Sequence, residues 1–87
     1  MFIILTYDIE QKRINRVRKT LKKYLTWTQN SVFEGEITEG KLHKCLSEIS
    51  KLTNKRVDSI YIYQVKNSRN ITKNVIGIEK SFDELFL

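Results

Sequence analysis

Proline is absent from this chain, glycine occurs three times and cysteine once. The single cysteine, Cys45, excludes an intrachain disulfide and fits a reducing compartment. No apolar run is long enough to cross a bilayer. The apolar start, Phe2 to Leu5, is shorter than the roughly 7–15 residues of a secretory core, and Asp8 and Glu10 follow at once. A cytoplasmic location is therefore expected. No internal repeat, low-complexity tract or linker divides the sequence, so residues 1–87 read as one domain. No glycine-rich phosphate cradle, Cys/His metal cluster or nucleophilic triad can be assembled. A chain this short buries only about 60–65% of its unfolded surface, which leaves little depth for an enclosed small-molecule cavity.

Charge of one sign is in excess. Sixteen Lys and Arg face ten Asp and Glu, for a net charge of +6. With 40% hydrophobic and 30% charged residues, this is a globular profile rather than a disordered one. A basic balance of this size favours polyanionic partners. The excess is also clustered. Lys12, Arg13, Arg16, Arg18, Lys19, Lys22 and Lys23 lie within twelve positions that contain no acid. At helical spacing, Lys12, Arg16, Lys19 and Lys23 form a stripe. Arg13 lies on one flank, and Arg18 and Lys22 lie on the other. A merely solvated face usually mixes signs. An all-positive one repels itself and suits a phosphate backbone, whose contacts carry affinity without base preference.

The apolar pattern sets the elements. Residues 2–8 read as a central strand, apolar on both faces through Leu5. Residues 11–25 read as a helix with Ile14, Val17, Leu21, Tyr24 and Leu25 on its core face. The stretch "TWTQNSVFEGEI" (26–37) is strand material, either a hairpin turning at "QNS" or one long strand bent at Gly35. Thr38 suits the N-cap of a second helix over 39–52, with Leu42, Cys45, Leu46, Ile49 and Leu52 inward. Residues 58–65 form a further strand, with Tyr61 and Tyr63 covering one side of the sheet. "NVIGI" (74–78) is a short additional strand, and "SFDELFL" ends the chain as an apolar tail expected to pack on a partner protomer. Two helical crossovers between strands predict an α+β, ferredoxin-like split βαβ sandwich with an extra C-terminal strand.

Asp8 closes the first strand, where α/β sheets commonly place ligands. It reads as a helix cap or turn residue, or as a ligand. One carboxylate alone makes a poor metal site, because Mg²⁺ takes one or two carboxylates and completes its shell with water or phosphate oxygens. A symmetric pair of chains would bring two Asp8 residues together over a phosphodiester. His43, the only histidine, reads as a surface residue, and Cys45 as a structural one. Trp27 is a candidate base-stacking residue.

"YDI" at the end of strand one, a basic helix after it, and "SVFEG" at 31–35 in a short basic chain together resemble the small CRISPR-associated adaptation protein family, Cas2. The resemblance covers nearly the whole chain. It implies a ferredoxin-like homodimer, with Asp8 near the dimer axis as catalytic residue and Mg²⁺ ligand; other divalent ions are alternatives. Tyr7, Ser31 and Phe33 fall on the family's motif positions. The function it implies is CRISPR adaptation. The dimer would bind duplex DNA, bridge an integrase, and cleave RNA or DNA in a metal-dependent way. A non-catalytic DNA-binding scaffold and a related toxin-type endoribonuclease are the alternative readings. One departure is that "TWTQN", just before the motif, carries no basic residue. Nucleic-acid contacts are then expected chiefly from the first helix.

Overall fold

The structure is a computed structural model and describes residues 1–79. Its elements, in chain order, are β1 (Phe2–Asp8), α1 (Gln11–Leu21), β2 (Thr26–Gln29), β3 (Val32–Glu36), α2 (Glu39–Leu52) and β4 (Ser59–Val65). The strands form one sheet in the order β2-β3-β1-β4, and every neighbouring pair is antiparallel. This is the expected ferredoxin-like βαββαβ arrangement.

Alternation along β1 divides the sheet into two faces. Ile3, Leu5 and Tyr7 point into the core, joined by Phe33 from β3. Val17 and Leu21 of α1 and Leu42, Cys45 and Ile49 of α2 close this face from above. Ile3, Leu5, Val17, Leu21, Phe33, Cys45 and Ile49 are fully buried. Burying a large apolar side chain completely contributes roughly 1.5–3 kcal/mol, so each of these residues is a substantial part of the hydrophobic stabilisation. The other face of the sheet, on the side of Ile4 and Thr6, has no helix over it among the described residues.

α1 ends at Leu21, four residues earlier than the periodicity suggests. The last turn tightens, with Lys23 N–H donating to Thr20 O (3.1 Å) and Tyr24 N–H to Leu21 O (3.0 Å). Tyr24 and Leu25 still pack against the core, but from the turn that leads into β2. The hairpin reading of 26–37 is the correct one. The chain turns at Asn30 and Ser31, and Asn30 takes a left-handed φ of 25°. α2 begins where expected, with Thr38 Oγ1 accepting from Lys41 N–H at 3.2 Å.

One expectation is corrected. Residues 74–78 form no strand within this chain. They lie over the open face of the sheet, around a 520 Å³ cavity also lined by Ile4, Val32 and Glu34. Crossing a face rather than following an edge, their backbone meets no ladder to join. Tyr61 and Tyr63 lie on that open face of the sheet, opposite Thr6 and Ile4 of β1, and both stand more than half exposed there. The apolar tail from 81 to 87 lies outside the described residues.

Candidate functional site

Asp8 is the last residue of β1, paired in register with Ser59 of β4. It belongs to the same side of the strand as Ile4 and Thr6, the side without helices. Its side chain is exposed, and among the described residues no hydrogen bond or ion pair engages its carboxylate. The capping reading for Asp8 is not realised. Glu10 holds the N-cap position of α1 and makes no side-chain cap bond there.

The work expected of a capping aspartate falls instead to Asp58, which sequence reasoning missed. Its carboxylate accepts from the backbone N–H of Glu10 (3.0 Å) and of Asn54 (2.8 Å), and from Arg13 Nε (2.6 Å) and Nη2 (2.8 Å). Only 1% of the Asp58 side chain is exposed. The Arg13 hydrogen bonds, helped by the two backbone donors, hold the acid well below the usual carboxylate range against the opposing effect of burial. Asp58 thereby ties the start of α1 to the loop before β4, one residue from the partner of Asp8. An Asp just ahead of a strand was the only sequence signal for this role.

The motif residues Tyr7, Ser31 and Phe33 meet at the hairpin turn. Tyr7 N–H donates to Ser31 O at 3.1 Å. The carbonyl of Asn30 accepts three donors: Tyr7 O–H (3.1 Å), Trp27 Nε1 (2.9 Å) and Arg18 Nη2 (3.3 Å). Trp27 stacks on Phe33 with ring centroids 6.1 Å apart, and Phe33 in turn meets Tyr7 at 6.3 Å. These residues therefore brace the end of β1 from inside. Trp27, a candidate for base stacking, is buried in that brace. A main-chain acceptor leaves no trace in residue type, and so this knot could not be read in advance.

The basic helix separates into two groups. Lys12, Arg16 and Lys19 point outward and are exposed. Lys12 sits 3.7 Å from Glu10, while Arg16 and Lys19 are unpaired among the described residues. Lys23, also exposed, reaches Glu48 at 3.3 Å. Arg13 is committed to Asp58. Arg18 lies 4.5 Å from the Trp27 ring centroid and donates from Nε to Tyr7 Oη at 2.8 Å. Lys22 lies over the same ring at 4.9 Å. Arg13 and Arg18, grouped with the phosphate-binding residues on sequence, thus spend their guanidinium groups inside the fold. The outward stripe and Asp8 do not converge, because the helices lie on one face of the sheet and Asp8 belongs to the other.

His43 is exposed on α2. Cys45 is buried, and burial pushes its thiol up to about 11. Among the described residues no three acids, histidines or cysteines gather as a metal site. Asp8 nevertheless suits a hard cation, being an uncommitted carboxylate open to solvent, and Mg²⁺ needs only one or two such ligands. No helix among the described residues is long and apolar enough to cross a membrane.

Comparison with known proteins agrees with this fold. The family model of the CRISPR associated protein Cas2 matches residues 1–72. The chain is 60% identical over 79 residues to a "CRISPR-associated endoribonuclease Cas2 3" of Thermodesulfovibrio yellowstonii, covering 91% of this chain and 90% of that protein. It is 42% identical over 87 residues to a "CRISPR-associated endoribonuclease Cas2" of Dictyoglomus turgidum, covering all of both. Among solved structures, one described as a crystal structure of Cas2 superposes with a TM-score of 0.82 at 40% identity, covering 93% of this chain and 91% of that one. The Streptococcus pyogenes Cas2 structure determined at pH 6.5 gives 0.74 at 27% identity, covering 86% and 99%. With motif, topology and full-length similarity in agreement, this chain belongs to the Cas2 family of CRISPR-associated proteins.

Proposed function

We propose that this chain acts in CRISPR adaptation as a homodimer that binds nucleic-acid backbones and cleaves phosphodiesters with a divalent ion, Mg²⁺ by preference, held by the Asp8 pair. The observation that carries the reading is the position of Asp8. Its free carboxylate ends β1 on the open face of the sheet, the face that also leaves Tyr61 and Tyr63 exposed. A second copy meeting that face would bring two such carboxylates to one axis. The names of the relatives, which call them endoribonucleases, support the hydrolytic part.

In this reading Asp8 would hold the ion, which when bound would supply Lewis-acid polarisation of a phosphoryl oxygen. The chain's own residues do the rest. Tyr7, the Asn30 carbonyl and Phe33 fix the end of β1, and Asp58 fixes the loop that follows it. Lys12, Arg16 and Lys19 face away from the sheet, where they are placed to neutralise the phosphates of a duplex, Lys12 by giving up its contact with Glu10. A CRISPR integrase is the protein partner that this reading gives the dimer.

The deciding experiment is a metal-titrated nuclease assay on single- and double-stranded RNA and DNA, with wild type beside Asp8→Asn. Metal-dependent cleavage lost in Asp8→Asn, with duplex binding kept, supports the reading. Undiminished cleavage by the variant would remove Asp8 from the chemistry. Duplex binding without cleavage by either protein would leave the scaffold function alone.

A further inference from the structure

The open face of the sheet is graded along β1 and β4. Phe2 pairs with Val65, Ile4 with Tyr63, Thr6 with Tyr61 and Asp8 with Ser59. These rows are apolar at the start of β1 and polar at its end. The carboxylate of Asp8 therefore has a hydroxyl as its direct cross-strand neighbour. Residues paired on one face hold their Cβ atoms about 4.5–5.5 Å apart. Ser59 is partly exposed, and among the described residues no hydrogen bond engages its hydroxyl.

The backbone holds both members of this row. Asp8 lies between Tyr7, whose N–H donates to Ser31 O at 3.1 Å, and Glu10, whose N–H donates to Asp58 Oδ1 at 3.0 Å. Ser59 leaves a turn in which Asp58 N–H and Val57 N–H donate to Asn54 O at 2.8 and 3.1 Å. Asn54 N–H closes that turn by donating to Asp58 Oδ2 at 2.8 Å. Serine has a single side-chain torsion, so on a backbone this fixed its oxygen has few positions to take.

The two groups of the row have complementary chemistry. A carboxylate repels a phosphodiester until a cation stands between them. A hydroxyl carries no charge and donates to a non-bridging phosphate oxygen without that help. Charge on such oxygens grows as an attacking oxygen adds to phosphorus. A fixed donor there stabilises the transition state more than the ground state.

We propose that Ser59 is a further substrate-binding residue of the Asp8 site, its hydroxyl donating to a non-bridging oxygen of the phosphodiester under cleavage. The inference rests on the reading of Asp8 given above and adds a second residue to that site. No bond to Ser59 forms, and its proton stays on its own oxygen. In a two-fold pair of chains, two carboxylates arrive with two hydroxyls.

The test compares wild type, Ser59→Ala, Ser59→Thr and Asp8→Asn by three measurements. These are cleavage kinetics on RNA and DNA oligonucleotides, thermal melting, and affinity for Mn²⁺, a paramagnetic stand-in for Mg²⁺, by electron paramagnetic resonance. Ser59→Ala should melt as wild type does and keep its Mn²⁺ affinity. Its kcat should fall by about tenfold or more with KM little changed, the loss expected for a hydrogen bond to a charged group. Ser59→Thr keeps the hydroxyl and should recover most of the rate. Asp8→Asn should lose both cleavage and Mn²⁺ binding. Full-rate cleavage by Ser59→Ala beside an inactive Asp8→Asn would overturn the role of Ser59 and leave that of Asp8 standing. So would an alanine variant whose lost rate comes with lower melting or lost Mn²⁺ affinity and is not recovered by threonine. A wild type that cleaves nothing, or an Asp8→Asn protein as active as wild type, would overturn the reading of Asp8 and the role of Ser59 with it.

Discussion

Arg13 and Asp58 meet in a two-pronged ion pair, with Nε and Nη2 of the guanidinium donating to the two carboxylate oxygens at 2.6 and 2.8 Å. The pair joins the first turn of α1 to the loop before β4, across 45 residues of sequence. It explains why one cation of an all-positive run is not available to a phosphate.

The pair also gives the stability of the protein an acid limb. Asp58 titrates lower in the folded protein than in the unfolded chain, where an aspartate has a pKa of about 3.9. Its contribution is therefore fully present above that value and is lost as pH falls from there toward the lower folded value. Urea midpoints measured from pH 6 down to pH 2 should fall steeply for wild type. Asp58→Asn should start lower at pH 6 and fall less over the same window. Parallel curves would show that Asp58 is not linked to folding.

The division of the basic helix predicts different phenotypes for neighbouring cations. Replacing Lys12, Arg16 and Lys19 together with Gln should weaken duplex binding for all sequences alike. It should also reduce the slope of log affinity against log salt by about 0.9 for each phosphate no longer neutralised, or ~3 in all. Arg18→Gln should leave that slope unchanged and lower the melting temperature instead, because Arg18 serves Tyr7, Trp27 and the Asn30 carbonyl. An Arg18 variant with a reduced slope and unchanged melting would reverse the assignment.

At the hairpin turn the acceptor is a main-chain carbonyl, so side-chain changes there separate cleanly. Asn30→Gly keeps all three hydrogen bonds and relieves a left-handed φ, and should change stability by no more than about 1 kcal/mol in either direction. Tyr7→Phe removes the donor to Asn30 O and the oxygen that accepts from Arg18, at an expected cost of about 1–2 kcal/mol. Denaturant titration of the two variants side by side checks both figures.

Cys45 should be inert in the folded protein. Its thiol is fully buried and titrates near 11, so little thiolate exists at neutral pH. A thiol-specific reagent should label the native chain slowly and the urea-unfolded chain at once. Rapid labelling without denaturant would mean that α2 opens locally.

Much of this protein was legible in its sequence, for a physical reason. Element type follows from local pattern: an apolar run marks β1, helical spacing marks α1 and α2, and β-prone alternation marks β4. The Thr38 cap is read from one residue and its successors. The basic run between 12 and 23 and the "YDI" and "SVFEG" stretches are contiguous, so they survive as patterns in one dimension. What only the tertiary structure decided is which groups are already spent. Arg13 and Arg16 look alike in the sequence, yet one faces a carboxylate 45 residues away and the other faces water. Trp27 reads as an aromatic open to bases until Phe33 stacks on it and Arg18 and Lys22 lie over its ring. Residues 74–78 have strand composition, but a ladder requires an edge and the chain lays them over a face. Asp8 and Asp58 are both aspartates at strand ends, and burial against Arg13 is what assigns one to the fold and leaves the other free.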